Sequence, residues 1–350
     1  MVGADGRLPL PWLAEPLAEA LARQRGHALL VQGAAGIGAL EFVRTLAQAW
    51  LCETEAGPER PCGRCASCHL VQARSHPDLL VLLPEVLAVA LGWQPGDEEA
   101  ADGEGARSKK KPSKQIRIDE VRRAIDWIAK TSSRARAKVL VIHPAESMNE
   151  QAASALLKTL EEPPAGARLL LSGADPALLL PTVRSRCQRL LLPPPGTELA
   201  LQWLAGQGVQ DAAVLLAAAG GRPLEAKALA EAGIAGAHWR ALPQAVAQGR
   251  AQALAGWPVP RVVDALNKLC HDAMALAAGG APRYFPAGSV PPGATLPALN
   301  AWASELARVA RHDEHAWNEG LLVESLVSQG RAALAAAAPH AARALGTLKA

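Results

Sequence analysis

The chain has 350 residues, of which 50% are hydrophobic and 20% are charged. This composition is typical of a globular protein, and the length allows roughly two or three domains, each with its own core. A net charge of +3 is too small for strong autonomous binding of nucleic acid, so any DNA contact is expected to need partners. The sequence contains no apolar run of about 18 residues, so no membrane span is predicted. The start of the chain is rich in acids and prolines and does not resemble a signal peptide. We therefore expect a cytoplasmic protein with no membrane partner.

The first predicted strand, residues 27–32, leads into a glycine-rich turn and a predicted helix over 39–51. Gly33, Gly36 and Gly38 are in register with a phosphate-binding P-loop, in which a lysine and a hydroxyl residue follow the last glycine. Here Ala39 and Leu40 stand at those two positions. The sequence thus contains a degenerate P-loop, and we expect no functional ATP site in this chain.

Four of the six cysteines cluster directly after that helix. Cys52, Cys62, Cys65 and Cys68 have the spacing C-x9-C-x2-C-x2-C. In a cytoplasmic chain this spacing favours a tetrahedral structural Zn²⁺ site over disulfides. Reduced thiols without a metal, and an iron–sulfur cluster, are the alternatives, although the ferredoxin pattern would continue to a cysteine followed by proline.

A second predicted strand, 78–83, is followed at 85–113 by a stretch in which an acidic block precedes a basic one. Segregated charge with glycine and proline predicts a flexible insertion. Its arginine and lysines are alternatively a patch for DNA phosphates. Further on, helical patterns cover about 119–131 and 149–162, and strand patterns cover 138–143, 167–173 and 187–193. Strands that alternate with helices predict a parallel sheet with helices on both faces.

The strand 138–143 ends without the acidic pair that a P-loop ATPase uses to hold Mg²⁺ and to orient water. His143 and Pro144 occupy those positions, and the nearest carboxylate, Glu146, is interpreted as a helix-entry residue. With Ala39 and Leu40, four catalytic positions are lost together. This coordinated loss argues against ATP hydrolysis by the chain.

Two arginines precede the last strand in the segment TVRSRC, residues 182–187. A guanidinium of Arg184 or Arg186 at the edge of the sheet can reach a phosphoryl group bound by a neighbouring subunit, as arginine fingers do. On position alone, an ordinary surface ion pair or a helix C-cap is the simpler role for either residue.

After residue 193 the pattern becomes helical throughout. Three domains are predicted. They are an α/β domain over 1–193, which includes a cysteine module at 52–68 and the insertion at 85–113, a short helical domain over 194–235 and a longer helical domain over 236–350.

Several of these segments together resemble one protein family, the delta-prime subunits of bacterial DNA polymerase III clamp loaders, which belong to the AAA+ class. The similar segments are HALLVQGAAGIG, the cysteine cluster, SHPDLLVLLPE, NEQAASALLKTLEEPP, TVRSRC and NEGLLVESLV. The resemblance is specific over about the first 190 residues and rests mainly on helical character and length thereafter.

The resemblance implies an AAA+ fold of P-loop type with an inserted zinc module, a small helical lid and an all-α C-terminal collar. It implies a non-hydrolysing stator that helps to load the sliding clamp onto primed DNA, with the gamma/tau ATPase subunits and the delta subunit as partners. The parent assembly is a nucleotidyltransferase, DNA polymerase III, whereas the chain itself is expected to have neither ATPase nor polymerase activity. By motif, Ser185, Arg186 and Cys187 carry over as the S-R-C segment, with Arg186 as a finger acting in trans, and the four clustered cysteines carry over as zinc ligands.

Two other functions are considered. An active ATPase motor of the same loader is disfavoured by the four lost positions. A free-standing zinc-dependent DNA-binding protein would need basic and aromatic residues around the cysteines, yet only Arg60 and Arg64 lie there, with no aromatic between Trp50 and Trp93.

Overall fold

A computed structural model of the chain describes residues 1–24, 26–54, 60–93, 112–311 and 318–335. The chain forms two compact units, with the boundary between Leu199 and Ala200. Within the described ranges, no helix combines the length and the apolar character that crossing a membrane would require.

The first unit is built on a parallel β-sheet flanked by helices. Its strands are β1 (Ala28–Gln32), β2 (Leu79–Leu82), β3 (Lys138–Ile142), β4 (Ala167–Gly173) and β5 (Gln188–Leu191). Its helices are α1 (Ala14–Arg23), α2 (Ala39–Leu51), α3 (Ala66–Gln72), α4 (Glu85–Ala90), α5 (Ile118–Ile128), α6 (Glu150–Glu161) and α7 (Pro181–Ser185). Helix α8 (Thr197–Gly206) crosses the boundary between the units.

The five strands lie in the order β2-β3-β4-β1-β5, and every neighbouring pair is parallel. Because side chains alternate across a strand, Leu30, Leu140 and Leu169 face one side, where they share a buried core with α5 and α6. Their neighbours Leu29 and Val139 are equally buried on the other side, where α2 packs. Strands buried on both faces explain why these segments are continuously apolar.

The predicted secondary structure of this unit is confirmed to within a few residues at each boundary. The predicted insertion at 85–113 differs at its start, because residues 85–90 form helix α4. Pro84 precedes this short helix, and its Val86 N–H and Glu85 carboxylate are hydrogen-bonded to Ser113. Residues 94–111 of the predicted insertion, with its basic block at 107–111, lie outside the described residues.

The second unit is entirely helical in its described part. After α8 come α9 (Ala212–Ala218), α10 (Pro223–Glu231), α11 (Gly236–Ala247), α12 (Val259–Ala277), α13 (Leu296–Arg311) and α14 (Glu319–Ala335). A single apolar core runs from Ala200 to Leu334, with Trp239 stacked on Phe285 at 4.9 Å between ring centroids. The division of this region into a lid over 194–235 and a collar over 236–350 stays a prediction.

Candidate functional site

The glycine-rich loop after β1 is packed against the N-terminal segment of the chain. Gly38 has a φ of 98°, and a Cβ atom built on it would lie 2.4 Å from Leu10 Cδ1. The Trp12 indole N–H donates a 2.8 Å hydrogen bond to the carbonyl oxygen of Ile37. The left-handed backbone favours glycine at Gly38, and a side chain there would also require Leu10 to shift.

The two positions that would carry the P-loop lysine and hydroxyl are part of the apolar interior. Ala39 is 8% exposed and Leu40 is 7% exposed. An ATPase needs a cationic and a polar side chain here, both directed at phosphate. The loop therefore retains the strand-turn-helix geometry while offering neither the charge nor the metal-binding hydroxyl.

The two residues that directly follow β3 are His143 and Pro144, neither of which is a carboxylate. His143 Nδ1 lies 2.9 Å from Ser172 Oγ on β4. Burial lowers the pKa of His143, and the Glu146 carboxylate offsets this only in part. Glu146 Oε1 accepts the backbone N–H of Ala174 at 2.8 Å. Glu146 lies in the first turn of a short 3₁₀ helix, Ala145–Ser147, as the predicted helix-entry position requires, and its carboxylate also holds the turn after β4.

The four clustered cysteines converge on one point between α2 and α3. Their Sγ atoms all lie within 4.8 Å of one another, with Cys52–Cys65 at 3.9 Å and Cys62–Cys68 at 4.0 Å. Tetrahedral Zn²⁺ with Zn–S bonds of about 2.3 Å would place its sulfurs about 3.8 Å apart. The arrangement therefore fits a metal ion such as zinc, with four protein ligands and no open position.

The surroundings of the sulfurs are also those of a thiolate site. Backbone N–H groups of Cys65 and Cys68 point at Cys62 Sγ and Cys65 Sγ, each at 3.4 Å. Hydrogen bonding from Thr54 and from two backbone N–H groups lowers the pKa of Cys62 to about 6, whereas burial raises the pKa of Cys68. N–H donors stabilise the anionic form that binds metal.

A chain of hydrogen bonds joins the cysteine cluster to the sheet. The Asp78 N–H donates to His76 Nδ1 at 3.0 Å, so the proton of the neutral ring is on Nε2, 3.2 Å from Ser67 Oγ. Burial lowers the pKa of His76, which keeps the ring neutral. Ser67 donates in turn to Glu53 at 3.0 Å, and Glu53 is paired with Arg134. Helix α3, which has Cys65 as its N-cap and contains Cys68, is thereby fixed to the residue that precedes β2.

The S-R-C segment lies where α7 leads into the edge strand β5. Arg186 is paired with Glu161 at the end of α6, with its Nε atom 2.6 Å from Glu161 Oε1. Arg186 Nη1 also donates to the carbonyl oxygen of Thr182 at 3.0 Å. The side chain of Arg186 remains 33% exposed. Arg184, the other candidate, has a buried Nε atom with no hydrogen-bond partner among the described residues.

Several contacts at these sites have no counterpart in the sequence reasoning. Leu10 and Trp12 carry no motif that relates them to the glycine loop, and Glu161 is indistinguishable by pattern from Glu162 beside it. The only available signal for Glu161 is its position in the segment LEEPP, at the end of a predicted helix. The structure brings the four cysteines together, and it places Arg186 at the sheet edge, away from the interior that holds Ala39 and Leu40.

Comparison with known proteins places the chain in a family. The family model described as DNA polymerase III, delta subunit, matches residues 12–196, which is more than half of the chain. DNA polymerase III subunit delta' of Pseudomonas aeruginosa is 37% identical over 219 residues, which cover 60% of this chain and 58% of that protein. The Escherichia coli subunit of the same name is 34% identical over 238 residues, covering 66% of this chain and 62% of that protein.

Among solved structures, a DNA polymerase III gamma subunit-related protein from Thermotoga maritima aligns with a TM-score of 0.44 and 16% identity, covering 92% of this chain and 99% of that one. The matches to the two curated relatives span about three fifths of their lengths. On the family model and these relatives, the chain belongs to the DNA polymerase III, delta subunit, family.

Proposed function

We propose that the chain is a non-hydrolysing subunit of a DNA polymerase III clamp loader. In this role it helps to load the sliding clamp onto primed DNA and supplies Arg186 in trans to an ATP site on a neighbouring gamma/tau-type subunit. The delta subunit is a further proposed partner. Family membership supports the assembly. The burial of Ala39 and Leu40, together with the partial exposure of Arg186, supports the proposal that this chain completes a neighbour's ATP site and does not hydrolyse ATP itself.

The observation that carries this proposal is the burial of Ala39 and Leu40 in the loop. A nucleotide held here would meet two apolar side chains in place of a cation and a hydroxyl. His143, whose pKa is lowered by burial, cannot replace an acidic Mg²⁺ ligand. The chain is therefore suited to completing another subunit's site rather than to operating its own.

Arg186 is suited to that role by its chemistry and by its location. A guanidinium is always charged and forms a fork that matches phosphate oxygens. It lies on the surface beside an edge strand, where a second subunit can approach. The cysteine cluster would hold one structural Zn²⁺ through Cys52, Cys62, Cys65 and Cys68, which would fix α3 onto the end of α2 without taking part in ATP chemistry.

The test is a clamp loader reconstituted with the wild-type chain, with Arg186→Ala or with Arg189→Ala. Arg189 is an exposed arginine on β5 and serves as the matched control. The other ATP sites carry inactivating substitutions, so that turnover reports the site completed by this chain. Loss of an arginine finger is expected to slow that site by about 10³-fold or more, while Arg189→Ala keeps the wild-type rate and all three loaders assemble.

Unchanged turnover with Arg186→Ala would overturn the finger assignment. Tight Mg·ATP binding by the isolated chain, measured by calorimetry, would overturn the non-hydrolysing role and favour an ATPase motor instead.

A further inference from the structure

Both edges of the Arg186 guanidinium are held by its own chain. Its Nε and Nη2 atoms both contact Glu161 Oε1, the former at 2.6 Å. On the opposite edge, Nη1 donates to the carbonyl oxygen of Thr182 at 3.0 Å. The Ser185 hydroxyl adds a longer contact to Nη1 at 3.4 Å. With a partner on each edge, the plane of the fork has one preferred orientation.

These contacts leave the tip of the fork for a ligand outside the chain. A guanidinium has five N–H donors. Nε–H and one N–H of Nη2 are directed at Glu161, and Nη1 donates to the carbonyl oxygen of Thr182. The second N–H of Nη2 points forward, and the second N–H of Nη1 beside it has the 3.4 Å contact with Ser185, which a phosphate oxygen can replace. Two parallel donors of this kind match two oxygens of a phosphate.

Glu161 is the last residue of α6 in the first unit. The buried face of α6 packs in the core, which fixes the position of this helix end. The Glu161 side chain is 50% exposed, so water screens its negative charge. Glu161 therefore only partly reduces the positive field of Arg186. Thr182 contributes a backbone carbonyl, which cannot swing away as a side chain can. The pair therefore orients the guanidinium without neutralising it.

We infer that Glu161 is a positioning residue for Arg186, holding the guanidinium so that its forward N–H pair faces the nucleotide phosphate of the adjacent subunit. This inference rests on the proposed function of Arg186. A positioned group needs no reordering in the transition state, and misplacement by about 1 Å can cost up to 10²-fold in rate. Removal of Glu161 is expected to slow the neighbouring site by about tenfold, less than removal of the arginine itself.

The experiment measures ATP turnover in the same reconstituted loader for Glu161→Ala, alone and combined with Arg186→Ala. Glu162→Ala is the matched control, because Glu162 is the adjacent exposed carboxylate. We expect Glu161→Ala to lower turnover at saturating ATP with no change in ring assembly, and Glu162→Ala to leave it unchanged. In the Arg186→Ala background, Glu161→Ala should have no further effect, since the two residues act as one unit.

Glu161→Gln provides the conservative variant, because its amide oxygen still accepts a hydrogen bond from the arginine. It should recover part of the lost turnover. An equal slowing by Glu161→Ala in both backgrounds would mean a general effect through α6 and would overturn the inference. Unchanged or faster turnover with Glu161→Ala would also overturn it, the latter result meaning that Glu161 restrains the arginine. If Arg186→Ala itself has no effect, the proposed function fails, and the inference fails with it.

Discussion

Replacement of the buried Asp78 by asparagine should destabilise the sheet that carries both candidate sites. Asp78 is fully buried and lies directly before β2. Oδ1 accepts from the Ser133 N–H at 2.8 Å and lies 3.4 Å from Lys138 Nζ. Oδ2 accepts from the Ser132 hydroxyl at 3.1 Å and from the Arg134 N–H at 3.0 Å. All four positions around this carboxylate are thus occupied by donors.

An asparagine of the same shape turns one of these acceptors into a donor. The less costly orientation places the amide nitrogen beside Ser132, whose hydroxyl can rotate to accept, but it leaves the Arg134 N–H without a partner. A buried unmet donor costs about 1–3 kcal/mol, and Lys138, itself buried, loses its counter-ion. Since breaking a buried pair costs about 3–5 kcal/mol, we expect a loss of about that size for Asp78→Asn.

The assay is hydrogen exchange with mass spectrometry on the full chain, read at peptides that cover β2 and β3. Opening free energies there should fall by about 3–5 kcal/mol in Asp78→Asn, while Ser132→Ala, which removes a single donor, should cost about 1 kcal/mol. Peptides from α12 in the second unit serve as the internal reference. A loss below about 1 kcal/mol in Asp78→Asn would refute the reasoning.

The same carboxylate predicts a pH dependence. Burial alone would raise the pKa of Asp78, but hydrogen bonds from Ser133, Ser132 and Arg134, together with Lys138, hold it below its ordinary value of 3.8. Its stabilisation is therefore complete above the unfolded pKa and is lost as pH falls through the lower, folded value. The difference in the free energy of unfolding between wild type and Asp78→Asn should be largest at neutral pH and should decrease below about pH 3.8.

Two further predictions concern the loop and the cysteine cluster. Restoring the P-loop residues as Ala39→Lys with Leu40→Thr should lower the free energy of unfolding by about 2 kcal/mol or more, because both positions are in the apolar interior. The double substitution should not create a nucleotide site. Micromolar Mg·ATP binding with an unchanged Tm would contradict this prediction. Elemental analysis should find one Zn²⁺ per chain, which Cys62→Ser or a strong chelator removes with a fall in Tm, whereas Cys270→Ala, outside the cluster, should keep the metal. Iron in place of zinc would refute the assignment.

Local patterns were sufficient to predict the five strands and three of the helices of the first unit, α2, α5 and α6, whereas α1, α3, α4 and α7 were not predicted. Apolar runs of strand length and helical periodicity located β1 to β5 and the long helices, because each pattern is contained within a few residues of chain. The short spacing of the cysteines predicted their convergence for the same reason. Gly33, Gly36 and Gly38 likewise predicted the turn after β1, in which Gly36 and Gly38 have positive φ angles.

The tertiary structure decided which residues pack against the glycine-rich loop and which residues hold Arg186. The packing of Leu10 against Gly38, and the four donors around Asp78, join residues that are distant in sequence and meet only once the strands have taken their order. Glu161 and Glu162 cannot be distinguished in the sequence. Only the approach of α7 to the end of α6 selects Glu161 as the partner of Arg186. The sequence determined the elements and the residues that were lost from the loop, because both are local properties; the structure decided which side chains face one another, because that depends on how the elements pack.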